Sequence, residues 1–207
     1  VCVRFISQKT PISACILTAL IVGLIFHIGL MIPTKEITVI SKSAFVLATI
    51  AGVSFVIASF CLYYAFKRGP VKLVAPLIAS YPILSISWAI WIGTPISKFQ
   101  ILAVLAIIFG VSIVAVLSDI SEEKIPPIGK TIALSLIAAI AFACTFASGQ
   151  AAAELSPHMS ATLVTRIISI MLCAIIIYFA GLKYWPGKSA FEGFTKLVVT
   201  IYFRYNK

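Results

Sequence analysis

The chain has 207 residues, 61% of them hydrophobic and 11% charged, with a formal net charge of +10 and a mean hydropathy of +1.13. That composition excludes an ordinary water-soluble domain. The positive charge does not signal nucleic acid either, because the basic residues stand singly or in pairs at the ends of apolar runs, as membrane anchoring and orientation require.

Residues 1–10 (VCVRFISQKT) resemble the tail of an earlier element, and Val1 is not an initiator Met, so a fragment of a longer protein is expected. Six apolar runs follow: Ile12–Ile32, Ala44–Phe66, Leu73–Ile92, Phe99–Leu117, Thr131–Ala153 and Ser160–Leu182. A hydrocarbon core about 30 Å thick takes about 20 helical residues to cross. Lipid cannot satisfy free backbone groups, so each run must be a helix. The predicted fold is all-α, a polytopic transmembrane helix bundle with six spans.

In the first run, Ala19 and Gly23 form a short small-residue ridge, and His27 sits mid-span on the same face. A lone His there is either a hydrogen-bonded packing residue or a proton carrier. The second run repeats the ridge at Ala48 and Gly52. The third holds Pro76 and Pro82, which stop the amides from bonding the carbonyls of Lys72 and Ile78. It is therefore expected to bend, leaving at least one carbonyl for another partner such as a substrate or water. Tyr81, Ser85 and Trp88 fall on one face of this run, and Ser80, Ser87 and Trp91 on an adjacent one. Such a stripe can wall a cavity or form an interfacial aromatic belt; the belt suits Trp91 and not Tyr81.

The fourth run carries Ala106 and Gly110. It leads to Ser118–Lys130 (SDISEEKIPPIGK), an acidic connection whose Pro126-Pro127 pair breaks helix and reads as a joint between two halves. In the fifth run Ser135, Ala139, Ala143, Ala147 and Ala151 recur every fourth residue, a ridge that lets another helix approach closely. Thr145, Ser148 and Gln150 make its end polar, to line a path or to bond neighbouring helices. The sixth run holds Arg166, the one formally charged side chain inside any run. At about two turns' depth it can snorkel, pair with Glu154, or meet an anionic group of a substrate. A seventh apolar run, Leu197–Phe203, begins near Lys207.

Because loop sides alternate, Lys and Arg can be counted by side. One side has Arg4, Lys9, Lys67, Arg68, Lys72, Lys124, Lys130 and the tail residues Lys183, Lys188, Lys196, Arg204 and Lys207; the other has Lys35, Lys42 and Lys98. The positive-inside rule puts the first set in the cytoplasm. Cys15, Cys61, Cys144 and Cys173 lie inside apolar runs without paired spacing and read as small buried hydrophobes. Metalloprotease, hydrolase, nucleotide-binding and dithiol motifs are missing, and no carboxylate pair lies within a span. No enzyme activity, cofactor or metal is expected.

Tyr63–Leu117 resembles the EamA-type domain of the drug/metabolite transporter superfamily. The matching elements are Tyr63-Tyr64-Ala65, Gly69-Pro70, Ala75-Pro76-Leu77, Tyr81-Pro82, Ile92-Gly93, and Gln100 followed by Phe109-Gly110-Val111; Ser156-Pro157 and Arg166 resemble the start of the second helix of the other repeat. Thr94 stands where the family usually carries Glu, and Ala103 where Gly is usual. The resemblance implies two inverted five-helix repeats, with the six runs here similar to helices two through seven of ten. On that scheme residues 1–117 are part of the first repeat, 118–130 a linker and 131–207 the start of the second. It also implies an orientation opposite to the charge count.

The expected function is that of an integral membrane secondary transporter of small metabolites or drug-like solutes, working by alternating access; a truncated, non-transporting remnant or packing subunit is the alternative. Substrate-path candidates are Tyr81, Pro82, Ser85, Trp88, Gln150, Arg166 and His27, and helix-packing candidates are Gly23, Gly52, Gly110, Ala139, Ala143 and Ala147. The partners expected are the lipid bilayer and a small organic solute, with a homodimer left open and no nucleic acid. The expected location is the bacterial cytoplasmic (inner) membrane.

Overall fold

The computed structural model describes residues 11–34, 40–91, 93, 96–117 and 128–184. Residues 1–10, Lys35, Thr94, the connection 118–127, the tail from 185 with the run Leu197–Phe203, and the side chains of Lys72 and Trp91 lie outside the described residues.

The described residues form helices α1 (Ile12–Thr34), α2 (Lys42–Arg68), α3 (Val71–Ala79), α4 (Tyr81–Trp91), α5 (Lys98–Leu117), α6 (Ile128–Leu155) and α7 (His158–Phe179), with no strand among them. Five stretches are long and apolar enough to cross a membrane: Ile12–Ile32, Lys42–Arg68, Leu73–Ile90, Gly129–Leu155 and His158–Phe179; the apolar helix Lys98–Ile113 is shorter. The chain is an all-α, multi-pass membrane protein.

The third apolar run is two helices in series, broken at Ser80. Pro82 supplies no amide to continue the ladder, and the break is capped from within the chain. The Ser80 hydroxyl donates to the Leu77 carbonyl at 2.6 Å, and the Ser80 amide faces the Ile78 carbonyl. Of the two carbonyls expected to lose their amide partners, that of Ile78 thus faces an amide two residues on, within the break itself.

α2 lies at the centre, with its most extensive interface against α6 and the next against α7, while α1 covers α7 and α3 and α4 cover α6. Ser41 starts α2 by accepting the Ala44 amide at 3.2 Å, while its own amide donates to Ser156 Oγ at 3.0 Å. These bonds bring the start of α2 to the turn between α6 and α7. α2 and α7 run parallel, with two bonds one turn apart. The Thr165 hydroxyl lies between the carbonyls of Ala48 (3.2 Å) and Ala161 (3.1 Å). The Ser169 hydroxyl lies between those of Gly52 (3.1 Å) and Thr165 (2.8 Å). Gly52 permits this approach: a β-carbon there would stand 2.8 Å from the Thr165 carbonyl oxygen and 3.1 Å from Ile168.

Small residues are buried and large ones face outward. Ala44, Ala48, Ala51, Ala58 and Ala65 of α2 and Ser135, Ala138 and Ala139 of α6 are inside, whereas Phe26, Ile32, Leu102 and Ile140 are exposed. On α6 the four-residue ridge turns out of the interface. Each four-residue step overshoots the helical repeat by about 40°, so Ala139 and Ala143 are buried while Ala147 and Ala151 are only half-buried. Thr145, Ser148 and Ala152 take over the inner face.

Gly110 departs from the packing expected of it. Among the described residues no neighbouring helix comes within 4 Å of where its β-carbon would be, because α5 meets its neighbours through the half-buried side of Val104, Ile108 and Val111, leaving Ala106 and Gly110 outside. Cys144 is likewise exposed although Cys173 is fully buried.

Gly52→Ala should lower stability by about 1–3 kcal/mol, since the added methyl meets a backbone carbonyl that cannot swing aside. Gly110→Ala, placed in open space, should not. Thermal unfolding of the two variants in the same detergent checks this; equal midpoints would remove Gly52 as a close helix contact.

Candidate functional site: a cavity between four helices

A cavity of about 190 Å³ opens where α1, α2, α6 and α7 meet. α1 contributes Ile16, Ala19 and Leu20, and α2 contributes Phe55, Ser59, Leu62 and Tyr63. The spacing of each set places it on one helical face. Phe142 of α6 and Arg166 of α7 complete the wall. Among the described residues Arg166 is its only formally charged lining group, and Ser59 and Tyr63 add hydroxyls.

Arg166 lies eight residues into α7, about 12 Å along the helix axis. Its Nε is buried without a hydrogen-bond partner. Its guanidinium lies over Gly23, where a β-carbon would collide with Nη1. Glu154, a partner considered from the sequence, instead accepts the Gln150 amide at 3.3 Å. Arg166 forms no ion pair among the described residues. A guanidinium offers five donors and stays charged, so this wall can donate to an acceptor placed against it.

Behind the cavity stands a chain of rings. Phe142 meets Phe55 edge-on, with centroids 6.2 Å apart at 76°. It also meets Tyr81 at 6.0 Å, and Tyr81 stacks on Phe146 at 5.2 Å and 21°. The first residue of α4, beside the break at Ser80, is thus one ring removed from the cavity.

The structure does not gather the other substrate-path candidates there. The His27 ring Nε2 lies 3.0 Å from the Met159 carbonyl, which can only accept, so Nε2–H donates and fastens α1 to the start of α7. At the opposite end of this antiparallel pair the Ser13 hydroxyl donates to the Lys183 carbonyl at 2.7 Å. Gln150 is exposed. Pro82 and Ser85 lie on α4 outside the cavity wall, the Ser85 hydroxyl buried without a partner. Trp88 is half exposed. Sequence reasoning passed over Phe55, Ser59 and Tyr63, which recur every fourth residue on α2, and Phe142, whose ring signals nothing by itself. The spacing of the first three was the available signal.

Residues 1–116 match the EamA-like transporter family. The chain is also similar to an uncharacterized protein of Methanocaldococcus jannaschii, 25% identical over 114 residues, which are 55% of this chain and 82% of that protein. No solved structure matches the chain.

Tyr81→Ala should cost about 0.5–1.5 kcal/mol of stability through loss of its ring contacts, and Tyr81→Phe should cost little, because the ring and not the hydroxyl makes the contacts with Phe142 and Phe146. Unfolding midpoints of both in detergent test this; a Tyr81→Phe loss matching that of Tyr81→Ala would transfer the role to the hydroxyl.

Proposed function

The chain belongs to the EamA-like transporter family, and from that premise we propose that it works as a secondary transporter of a small organic solute by alternating access. The family is one of membrane transporters, not of enzymes. In this reading residues 1–117 belong to one repeat, 118–130 are a linker, and the residues from 131 onward begin the second. The solute sits in the cavity between α1 and α2 of the first and α6 and α7 of the second.

The observation that carries the proposal is a wall of mixed chemistry at the seam of four span-length helices: an arginine and two hydroxyls among apolar side chains. Two features support movement around it. The break at Ser80 separates α3 from α4, and Tyr81, at the head of α4, touches the same Phe142 that lines the cavity. A tilt of α4 would therefore be felt at the cavity through one aromatic contact. The expected setting is a bacterial cytoplasmic membrane.

Reconstituted into vesicles, the full-length protein should give saturable flux of its solute. Pro82→Ala and Tyr81→Ala should each lower that flux severalfold at equal protein content. Wild-type flux in both variants would remove the α4 break from the mechanism. Absence of saturable flux with the intact reading frame would favour the packing remnant instead.

A further inference from the structure

Resting on the transport reading, we infer that the solute of this cavity is a small monocarboxylate with an aromatic or branched apolar body, its carboxylate seated on Arg166. A charged side chain within the bilayer is costly and is met by a counter-charge or by acceptors. Arg166 has neither an ion pair among the described residues nor a partner for its buried Nε. Glu154 is engaged with Gln150, and among the described residues no carboxylate lines the cavity. In this inference the anion that completes the site arrives with the solute, and the forked guanidinium matches the two oxygens of a carboxylate.

The rest of the wall states the body of that solute. Phe55, Phe142, Leu62 and Leu20 are apolar and suit a ring or a branched chain. An engineered cavity of about 150 Å³ holds benzene; a volume of about 190 Å³ adds room for a short carboxylate arm. The same wall discriminates against an amine: a free ammonium would face Arg166 with only the hydroxyls of Ser59 and Tyr63 to receive it. Inorganic phosphate would find the charge but leave the apolar surface without contact.

Gly23 sets the position of the guanidinium. A methyl group there would meet Arg166 Nη1, the far end of a flexible side chain, which can move aside. Gly23→Ala should accordingly shift the charge without unfolding the helix pair.

The test is equilibrium binding to the full-length protein in nanodiscs of neutral phosphatidylcholine, with phenylacetate, phenylacetamide and phenethylamine as probes of similar size and inorganic phosphate as a fourth. Phenylacetate should bind one to one, and the amide, amine and phosphate should bind roughly tenfold weaker or more. Arg166→Gln should lose roughly the same factor, Arg166→Lys should retain part of the affinity, and Gly23→Ala should weaken binding at an unchanged thermal midpoint. Should Arg166→Gln fail to fold, the Lys and Gly23 variants carry the comparison. Equal binding of the three aromatic probes, or wild-type phenylacetate affinity in the Arg166→Lys and Gly23→Ala variants, would overturn the inference. So would an Arg166-dependent signal that appears only when phosphatidylglycerol is added, which would assign the arginine to a lipid headgroup. Binding is read without transport, so absent flux in vesicles would remove the transporter reading and leave this result standing.

Discussion

The architecture depends on how closely α2 can approach its neighbours. Around it lies lipid, which is as apolar as the side chains themselves, so hydrophobicity does not draw one helix to another. Contact between surfaces does, and contact is greatest where side chains are smallest. At Gly52 the absence of a β-carbon brings α7 near enough for Thr165 and Ser169 to reach the carbonyls of α2. On the other side, alanines of α2 and α6 do the same over a long antiparallel interface. Once α2 is held between α6 and α7, α1 closes on α7 and the α3–α4 pair closes on α6.

The cavity lies farther along α2 than the Gly52 contact. Along α2 the interface passes from Ala48, Ala51 and Gly52 to Phe55, Ser59, Leu62 and Tyr63. Beside these larger side chains a space opens at the junction with α1. Into it points the arginine of α7, admitted by the small Gly23 opposite. The charge is thus tolerated by the same device that packs the bundle: a missing β-carbon at a helix crossing.

Much of this was legible beforehand. Length and apolarity marked the spans, Pro82 marked the interruption of the third run, and the small residues on α2 marked an interface. Other features were not. The face that Ala106 and Gly110 present could not be read from α5 alone, because a small-residue ridge says that close approach is allowed and not that a partner is there. Arg166 and Glu154 are near in sequence, yet the helix turn at Ser156 leaves Glu154 exposed and turned to Gln150. His27 offered two readings, and its distance to the Met159 carbonyl identifies it as a tie between helices.

By itself the sequence determined that this is a multi-pass helical membrane protein, since runs of that length and apolarity have one way to satisfy their backbone in lipid. It also carried the family resemblance in a contiguous stretch, where local motifs suffice. Only the tertiary structure decided which residues share a space. Phe55, Ser59 and Tyr63 come from one helix, Phe142 from another, and Arg166 from a third. Helices that are apolar on every side give no periodic signal of which face turns inward. That choice rests on the fit of small surfaces against one another, which exists only once the helices are assembled.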